Sequence, residues 1–196
     1  MTTPPKILAF AGSAREASFN KMLVKIAAEG AKMAGAEVTY LDLRELPMPL
    51  FDQDLEAKEG LTENVLKFKT LLKEHHAFAI ASPEYNSSIT PLLKNVIDWA
   101  SRPEPGEAPM ALTCFRGKIA ALMATSPGGL GGLRGLSHIR SILSSIGVLV
   151  IPEQKAIPNA FQAFSEEGKL KDEKQQTAIA EIGRQLAITS AKLLQD

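Results

Sequence analysis

The strongest constraint on the fold is a short apolar run that passes directly into a polar turn. Residues 7–11 read Ile-Leu-Ala-Phe-Ala, which is too short for a helix but suits a strand buried on both faces. Residues 12–20 follow as Gly-Ser-Ala-Arg-Glu-Ala-Ser-Phe-Asn, and a helical pattern then continues to Met33. A strand that leads through a tight polar turn into a helix is typical of a parallel α/β sheet.

The same unit recurs along the chain. Four further strands are predicted, at residues 37–43, 77–81, 118–125 and 148–151. Helical patterns separate them, at residues 61–72, at 91–100 behind the N-cap Thr90, at 136–146, and after Asp172. We expect Pro152 to stop the fifth strand. The alternation predicts one domain over residues 1–196, an α/β three-layer sandwich with a five-stranded parallel sheet and helices on both faces.

Composition narrows the possible partners. The chain has 22 lysines and arginines against 22 aspartates and glutamates, which gives no reason to expect nucleic acid or a membrane surface as a partner. No apolar run reaches the roughly 18 residues of a membrane span, and the N-terminus shows no signal-peptide pattern. The lone Cys114 fits a reducing compartment, so we expect a cytoplasmic protein. His75 and His76 have no ligand partners nearby in sequence, so no metal site is predicted.

Polar residues crowd the start of the first helix. Ser13, Arg15, Ser18 and Asn20 lie where unpaired N–H groups and the positive end of the helix dipole attract an anion, usually a phosphate. The loop lacks the Gly-Lys-Ser/Thr ending of a P-loop and the G-x-G-x-x-G of a dinucleotide fold. The remaining candidate for the anion is the phosphate group of a mononucleotide. Ordinary helix capping by Ser18, with Arg15 on the surface, stays open as the alternative.

Two more polar turns follow the third and fourth strands. Residues 82–88 offer a proline-fixed turn with main-chain amides and the ring of Tyr85, which suits a flat apolar ligand with a polar edge. Residues 126–132 contain four glycines that allow close backbone approach. In the sheet order 2-1-3-4-5 the first, third and fourth strands are the middle three, so their turns should form one pocket. Taken singly, Tyr85 could instead cover a strand end, and the glycines could make a mobile turn.

Two other segments carry weaker signals. Residues 101–109 contain three prolines and a glycine and are expected to form a surface loop. His138 lies on a predicted helix with Arg134 and Arg140, and we interpret it as a solvated or subunit-contact residue. We find no Ser-His-Asp order and no carboxylate pair that would indicate hydrolysis, so no catalytic side chain is predicted.

Together these motifs resemble the NADPH-dependent FMN reductase family, which includes flavodoxin-like chromate, quinone and azo-dye reductases. The resemblance rests on Gly12-Ser-x-Arg-x-x-Ser-x-Asn20, Ser82-Pro-Glu-Tyr-Asn-x-Ser88, Leu93-Lys-Asn-x-Ile-Asp-Trp99, Ser101-Arg-Pro103 and Ser126-Pro-Gly-Gly-x-Gly-Gly132. These motifs cover most of the chain in the family's order. The chain departs from the family pattern at residues 104–115, which are longer and richer in proline, so the resemblance leaves the local shape of the pocket rim and the substrate open.

The resemblance implies a flavodoxin-like fold with non-covalent FMN, reduced by NADPH or NADH, in a homodimer or homotetramer. It implies an enzyme that passes a hydride to FMN and on to a small molecule: a quinone, azo compound, chromate or free flavin. The cofactor-binding residues that it implies are Ser13, Arg15, Ser18, Phe19 and Asn20 around the phosphate, Pro83, Glu84, Tyr85, Asn86 and Ser87 beside the ring, and Ser126, Gly128, Gly129 and Gly131 on its far side. A flavodoxin-like electron carrier, or a flavin-binding redox regulator without turnover, remains the alternative.

Overall fold

A five-stranded parallel sheet forms the centre of the protein, in a computed structural model that describes residues 3–194. Its strands are β1 (Lys6–Ala11), β2 (Glu37–Leu41), β3 (Ala77–Ala81), β6 (Ile119–Thr125) and β7 (Leu149–Ile157). Their order is β2-β1-β3-β6-β7. A separate hairpin of β4 (Glu84–Tyr85) and β5 (Ser88–Ile89) follows β3 along the chain. Without that hairpin the order is the predicted 2-1-3-4-5, so the predicted fold is confirmed.

Helices cover both faces of the sheet. They are α1 (Phe19–Met33), α2 (Gln53–Glu59), α3 (Glu63–Glu74), α4 (Pro91–Ala100), α5 (Leu133–Ser145), α6 (Ala160–Ala163) and α7 (Glu173–Leu193). One apolar core lies between the sheet and α1 with α7, and a second lies between the sheet and α3, α4 and α5. The predicted caps are confirmed at two helices, where Thr90 accepts a hydrogen bond from the Leu93 N–H and Asp172 accepts from the Lys174 N–H.

The central strands explain why three turns meet. Every residue of β3 and β6 is buried, and so is all of β1 after Lys6, because helices cover these strands on both faces. The outer strands β2 and β7 mix exposed and buried residues instead. Since β1, β3 and β6 are adjacent and parallel, their carboxyl ends lie side by side at one edge of the sheet.

The fifth strand does not stop at Pro152, as the sequence predicts. It runs to Ile157, and its pairing with β6 shifts register between Ala120 and Leu122. A β-bulge on an edge strand tolerates proline because the missing N–H is not needed for the ladder. The Arg140 guanidinium supports this irregular stretch by donating to the Ile151 carbonyl oxygen at 2.9 Å. The prediction was therefore wrong because proline blocks only a regular, paired position.

The proline-rich segment 101–117 does not form the rim of a pocket at the carboxyl ends of the strands. It connects the end of α4 to the start of β6, so it lies at the opposite edge of the sheet. Nor is it a simple surface loop, because the buried Lys69 ammonium donates to its backbone at Arg102, whose own guanidinium binds Glu56 at 2.8 Å. The departure from the family pattern in this segment therefore lies at the amino end of β6, away from the carboxyl ends of the strands.

The helices α1 and α7 pack in direct backbone contact. A Cβ atom added to Gly183 would lie 1.8 Å from the Ala27 carbonyl oxygen, and one added to Gly30 would lie 2.0 Å from that of Ala180. Only glycine permits this separation, and the close fit fixes α1 against the sheet. Among residues 3–194 no helix is both long and apolar enough to cross a membrane.

A nearly buried ion pair ties the start of α1 to the end of β2. The Lys21 ammonium lies 2.7 Å from the Asp42 carboxylate, and their side chains are 6% and 14% exposed. Partial burial alone raises the pKa of Asp42, but hydrogen bonds from Lys21 and from the Arg44 N–H outweigh it and hold that pKa below its usual value.

We expect the stability provided by Asp42 to depend on pH. Because its pKa is lower in the folded state, its contribution is complete above the unfolded pKa of about 3.9 and is lost as the pH falls through the folded value. Urea unfolding of wild type and Asp42→Asn should therefore differ most near neutral pH and converge in acid. Asp54→Asn, at an exposed position, is the control. A difference that persists undiminished in acid would contradict this assignment.

Candidate functional site

The turn after β1 is fixed to the start of α4. The Gly12 N–H donates to the Ala81 carbonyl oxygen at 2.9 Å, and the Thr90 hydroxyl donates to the Gly12 carbonyl oxygen at 2.7 Å. A Cβ atom at Gly12 would come within 2.8 Å of Leu93. Glycine therefore lets the turn lie against α4, and the two hydrogen bonds hold the following residues in place.

The N-terminus of α1 opens onto this turn. Ser18 is the N-cap by position, but its hydroxyl makes no capping hydrogen bond, which goes against the alternative of ordinary helix capping. The first N–H groups of any α-helix lack intrahelical partners, and α1 has no acidic residue in its first turn. With Ser13 and Ser18 both buried nearby, the arrangement offers hydroxyl and N–H donors to an anion. This geometry fits a phosphate group.

The Asn20 side chain contacts the end of β6. Its amide nitrogen donates to the Thr125 carbonyl oxygen at 2.9 Å, and its amide oxygen accepts from the Thr125 N–H at 3.1 Å. The buried Asn20 side chain thus joins the first turn of α1 to the end of β6. It leaves one amide hydrogen outside this pair, so its main effect is to hold two walls of the site together.

Arg15 extends from the same turn over an aromatic cluster. Its guanidinium carbon lies 5.6 Å from the centre of the Phe19 ring. That ring stacks on Phe164 at 5.3 Å and meets Phe161 edge-on at 5.5 Å. Arg15 is exposed and provides a positive charge beside the α1 N-terminus.

The hairpin after β3 has an unusual backbone. Asn86 and Ser87 connect β4 to β5 and have positive φ angles of 50° and 68°. Two residues in the left-handed region are the pattern of a tight type I′ hairpin, in which glycine commonly occupies the second position. Ser87 has no such freedom, so its conformation is strained, and strain of this kind concentrates at functional sites. Tyr85 on this hairpin is 58% exposed.

Side chains from α5 contact both strands of this hairpin. The Glu84 carboxylate accepts hydrogen bonds from the Gly135 N–H and the Arg134 guanidinium, each at 2.9 Å. Burial alone raises the pKa of Glu84, but these hydrogen bonds outweigh it and lower that pKa overall. His138 is exposed, in line with its interpretation as a solvated or subunit-contact residue, and its Nδ1 atom also lies 2.9 Å from the Ser88 hydroxyl.

The four glycines of the turn after β6 fall into two pairs. Gly131 and Gly132 have positive φ angles of 62° and 92°, and added Cβ atoms would lie 2.6 Å from the Ile157 backbone and 2.8 Å from Ala124. These two glycines are required by the local packing. Gly128 and Gly129 are exposed, and a Cβ atom added to either would meet nothing closer than 3.9 Å, so packing does not require glycine there.

These turns enclose a cleft of about 200 Å³ at the carboxyl ends of β1, β3 and β6. The cleft brings together nine of the predicted site residues: Ser13, Arg15, Ser18, Phe19, Asn20, Pro83, Glu84, Tyr85 and Ser126. Five others lie outside its lining: Asn86, Ser87, Gly128, Gly129 and Gly131. Thr125 and Pro127 also line it and were not predicted, although they flank the predicted Ser126.

The cleft is chosen as the candidate site for its position rather than for its volume. A larger groove of about 530 Å³ lies on the outer surface of α1 and α7, around Met22, Met33 and Gly168. That groove is away from the strand ends, where ligands bind in open α/β sheets. Among residues 3–194 no cluster of three or more His, Cys, Asp or Glu side chains is placed to bind a metal. An anion site beside a proline-fixed wall carrying an exposed aromatic ring therefore defines the candidate site.

Comparison with known proteins identifies the family of the chain. The model of the NADPH-dependent FMN reductase family matches residues 5–162. An NAD(P)H:quinone oxidoreductase of Solanum tuberosum is 37% identical over 173 residues, which are 86% of this chain and 84% of that protein. An NAD(P)H-dependent FMN reductase of Pseudomonas aeruginosa is 34% identical over 175 residues, 89% of each chain.

A solved structure shares the whole architecture. FerB of Paracoccus denitrificans, described as a flavoenzyme NAD(P)H:(acceptor) oxidoreductase, superposes with a TM-score of 0.75. The match covers 97% of each chain at 26% sequence identity. The likeness therefore extends over nearly the whole fold.

Proposed function

Since the chain belongs to the NADPH-dependent FMN reductase family, we propose that it is an FMN-dependent NAD(P)H:quinone oxidoreductase acting as a single FMN-binding domain. It is an oxidoreductase that uses FMN with NAD(P)H. The observation that carries the proposal is the meeting of an anion-binding helix N-terminus and a strained, aromatic hairpin in one cleft. The first feature fits the phosphate of FMN and the second fits its ring.

The phosphate is assigned to the turn after β1. The hydroxyls of Ser13 and Ser18 and the first N–H groups of α1 donate to its oxygens, and Arg15 neutralises its charge. Asn20 fixes this turn through its hydrogen bond to Thr125, and Phe19 fixes it through the aromatic cluster. The donors are thus placed before the ligand arrives, which reduces the entropy lost on binding.

The ring is assigned to the space between the hairpin and the turn after β6. Pro83, Tyr85 and Ser126 line that space, while the N–H groups of Asn86 and Ser87 lie at the tip of the hairpin. When bound, FMN would supply a ring that can accept a hydride and pass it on. The residues of the chain supply orientation, and their N–H groups oppose negative charge that develops nearby. We assign no side chain as an acid or base.

The acceptor is proposed to be a quinone, with azo compounds, chromate and free flavin as further candidates. Steady-state kinetics of the FMN-loaded protein under anaerobic conditions, with NADPH and NADH each tested against these acceptors, examines the assignment. Multiple turnover on a quinone is the expected result. Flavin binding without turnover on any acceptor would contradict it and would favour a redox regulator.

The charge balance argues against an electron carrier. Flavodoxin-type carriers use a strongly acidic surface to dock on redox partners, whereas lysine plus arginine equal aspartate plus glutamate in this chain at 22 each.

We also propose a homodimer or homotetramer, supported by exposed apolar side chains beside the cleft at Tyr85, Leu130 and Leu133. Light scattering of the purified protein tests the oligomeric state, and a monomeric mass would contradict this proposal.

We also propose a cytoplasmic location, which the single buried Cys114 supports because a lone thiol forms no internal disulfide.

Tyr85→Ala should affect turnover more than FMN retention. An exposed ring that stacks on an aromatic acceptor contributes about 0.5–1.5 kcal/mol, so kcat/KM for a quinone should fall about 2- to 10-fold. Tyr85→Phe keeps the ring and should behave like wild type. Titration of each apoprotein with FMN measures retention separately. Unchanged kinetics in Tyr85→Ala would show that the acceptor does not contact this ring.

A further inference from the structure

The helix α5 begins without a cap of its own. Its N-cap is Gly132, which has no side chain, and no acidic residue occurs in its first turn. The exposed N–H groups and positive dipole at such an end require an acceptor from another part of the chain.

Glu84 supplies that acceptor from the hairpin. One carboxylate oxygen accepts from the Gly135 N–H at 2.9 Å, and the other accepts from the Arg134 Nε and Nη2 atoms at 3.1 and 2.9 Å. The Glu84 side chain is only 8% exposed. Both oxygens are therefore committed to α5, so this carboxylate does not need the ligand as a partner.

A second contact lies one turn further along α5. His138 Nδ1 is 2.9 Å from the Ser88 hydroxyl, so β4 is held through Glu84 and β5 through Ser88. The fit between them is close, because a Cβ atom at Gly135 would lie 3.4 Å from the Ser88 carbonyl oxygen. α5 thus supports both strands of the hairpin.

The conformation of the hairpin depends on these contacts with α5. Each of its strands has two residues, and its connecting residues Asn86 and Ser87 are both left-handed without being glycine. A hairpin of this length is not stable alone, and strained conformations persist only where neighbouring structure enforces them.

We propose that Glu84 and Arg134 are positioning residues, which lock the hairpin to α5 and so fix the width of the slot for the flavin ring. The two sides of the slot belong to different elements: Pro83 and Tyr85 lie on the hairpin side, and Ser126 lies in the turn that leads into α5. The Glu84–Arg134 pair is the ionic link that joins these sides. This inference rests on the proposed function, because it assumes that a flavin occupies the cleft.

The inference makes a distinction between the two halves of the ligand. Loosening the slot should weaken the ring contacts and leave the phosphate contacts at α1 unchanged. FMN and riboflavin share the ring and differ only in the phosphate, so the ratio of their dissociation constants reports the phosphate contribution alone. Glu84→Ala should raise both constants by about tenfold, the loss of one charge-assisted link, and should leave their ratio unchanged.

Fluorescence titration of apoprotein with FMN and with riboflavin is the test, well below the melting temperature of each variant. Glu84→Gln, Arg134→Gln and the double variant Glu84→Gln/Arg134→Gln complete the set, and the double variant should bind no more weakly than either single one. Glu181→Ala serves as control because it breaks an ion pair with Arg184 on α7, away from the cleft. Its constants should equal those of wild type.

The outcomes separate the two hypotheses. Wild-type protein that binds neither flavin would overturn the proposed function itself. FMN binding by wild type with equal constants in Glu84→Ala, Glu84→Gln and Arg134→Gln would leave that function standing and overturn the positioning role. A riboflavin-to-FMN ratio that changes in Glu84→Ala would also overturn it, because the phosphate contacts would then be affected.

Discussion

Arg15→Ala is expected to weaken FMN binding by about 1.5–3 kcal/mol, or about 10- to 150-fold in the dissociation constant, the range for hydrogen bonds to a charged group. The reason is the position of its guanidinium beside the α1 N-terminus, at the mouth of a turn whose Ser13 and Ser18 hydroxyls are buried and whose helix lacks a side-chain cap. Arg15 is the one cationic side chain among residues 12–20, so its removal leaves a phosphate dianion with neutral donors from this turn.

The comparison with riboflavin isolates this effect. Riboflavin has no phosphate, so its binding should change little in Arg15→Ala, and the preference for FMN should fall. Arg116→Ala is the control, because Arg116 is exposed next to the start of β6, at the opposite edge of the sheet. Equal FMN affinity in wild type and Arg15→Ala would show that Arg15 does not contact the phosphate.

Gly183→Val is expected to destabilise the protein by about 3 kcal/mol or more. The added Cβ atom would lie 1.8 Å from the Ala27 carbonyl oxygen, so α1 and α7 must separate along their contact. Forced overpacking costs typically 1–3 kcal/mol, and a clash with rigid backbone belongs to the upper part of this range. A loss of about 3 kcal/mol lowers the melting temperature of a chain of this size by about 6–12 °C.

Thr177→Val is the matched control, since it places the same side chain at an exposed position of the same helix. Surface changes of this kind stay within about 0.5 kcal/mol. Thermal unfolding followed by circular dichroism measures both variants. A melting temperature for Gly183→Val equal to that of wild type would show that the two helices are not packed as closely as described.

The sheet could be predicted from the sequence because its signals are local. The central strands are continuous apolar runs, and each is followed by glycine, proline or serine where the chain must turn. Helix boundaries were predictable where a side chain caps the helix, as at Thr90 and Asp172. Such patterns depend on neighbouring residues only. The strand order is not local; it came from the flavodoxin-like fold that the alternation and the family resemblance indicated, and it placed the three turns together.

The features that were missed depend on residues far apart in the sequence. Asn20 pairs with Thr125, and Glu84 pairs with Arg134, across 105 and 50 positions. No local pattern reveals that the Asn20 amide also pairs with the backbone of a distant strand. The continuation of β7 through Pro152 likewise depends on its being an edge strand. Gly131 was predicted to lie beside the flavin ring, and the sequence could not show that the Ile157 backbone packed against it also requires glycine there.

The central claim is that FMN bound in this cleft is reduced by a nicotinamide nucleotide and reoxidised by a small acceptor. The most direct test mixes the FMN-loaded protein with one equivalent of NADPH under anaerobic conditions in a stopped-flow instrument, and then adds a quinone. We predict rapid loss of the visible flavin absorbance followed by its full return. A protein that stays colourless after incubation with FMN, or whose flavin absorbance is unchanged by both NADPH and NADH, would contradict this account.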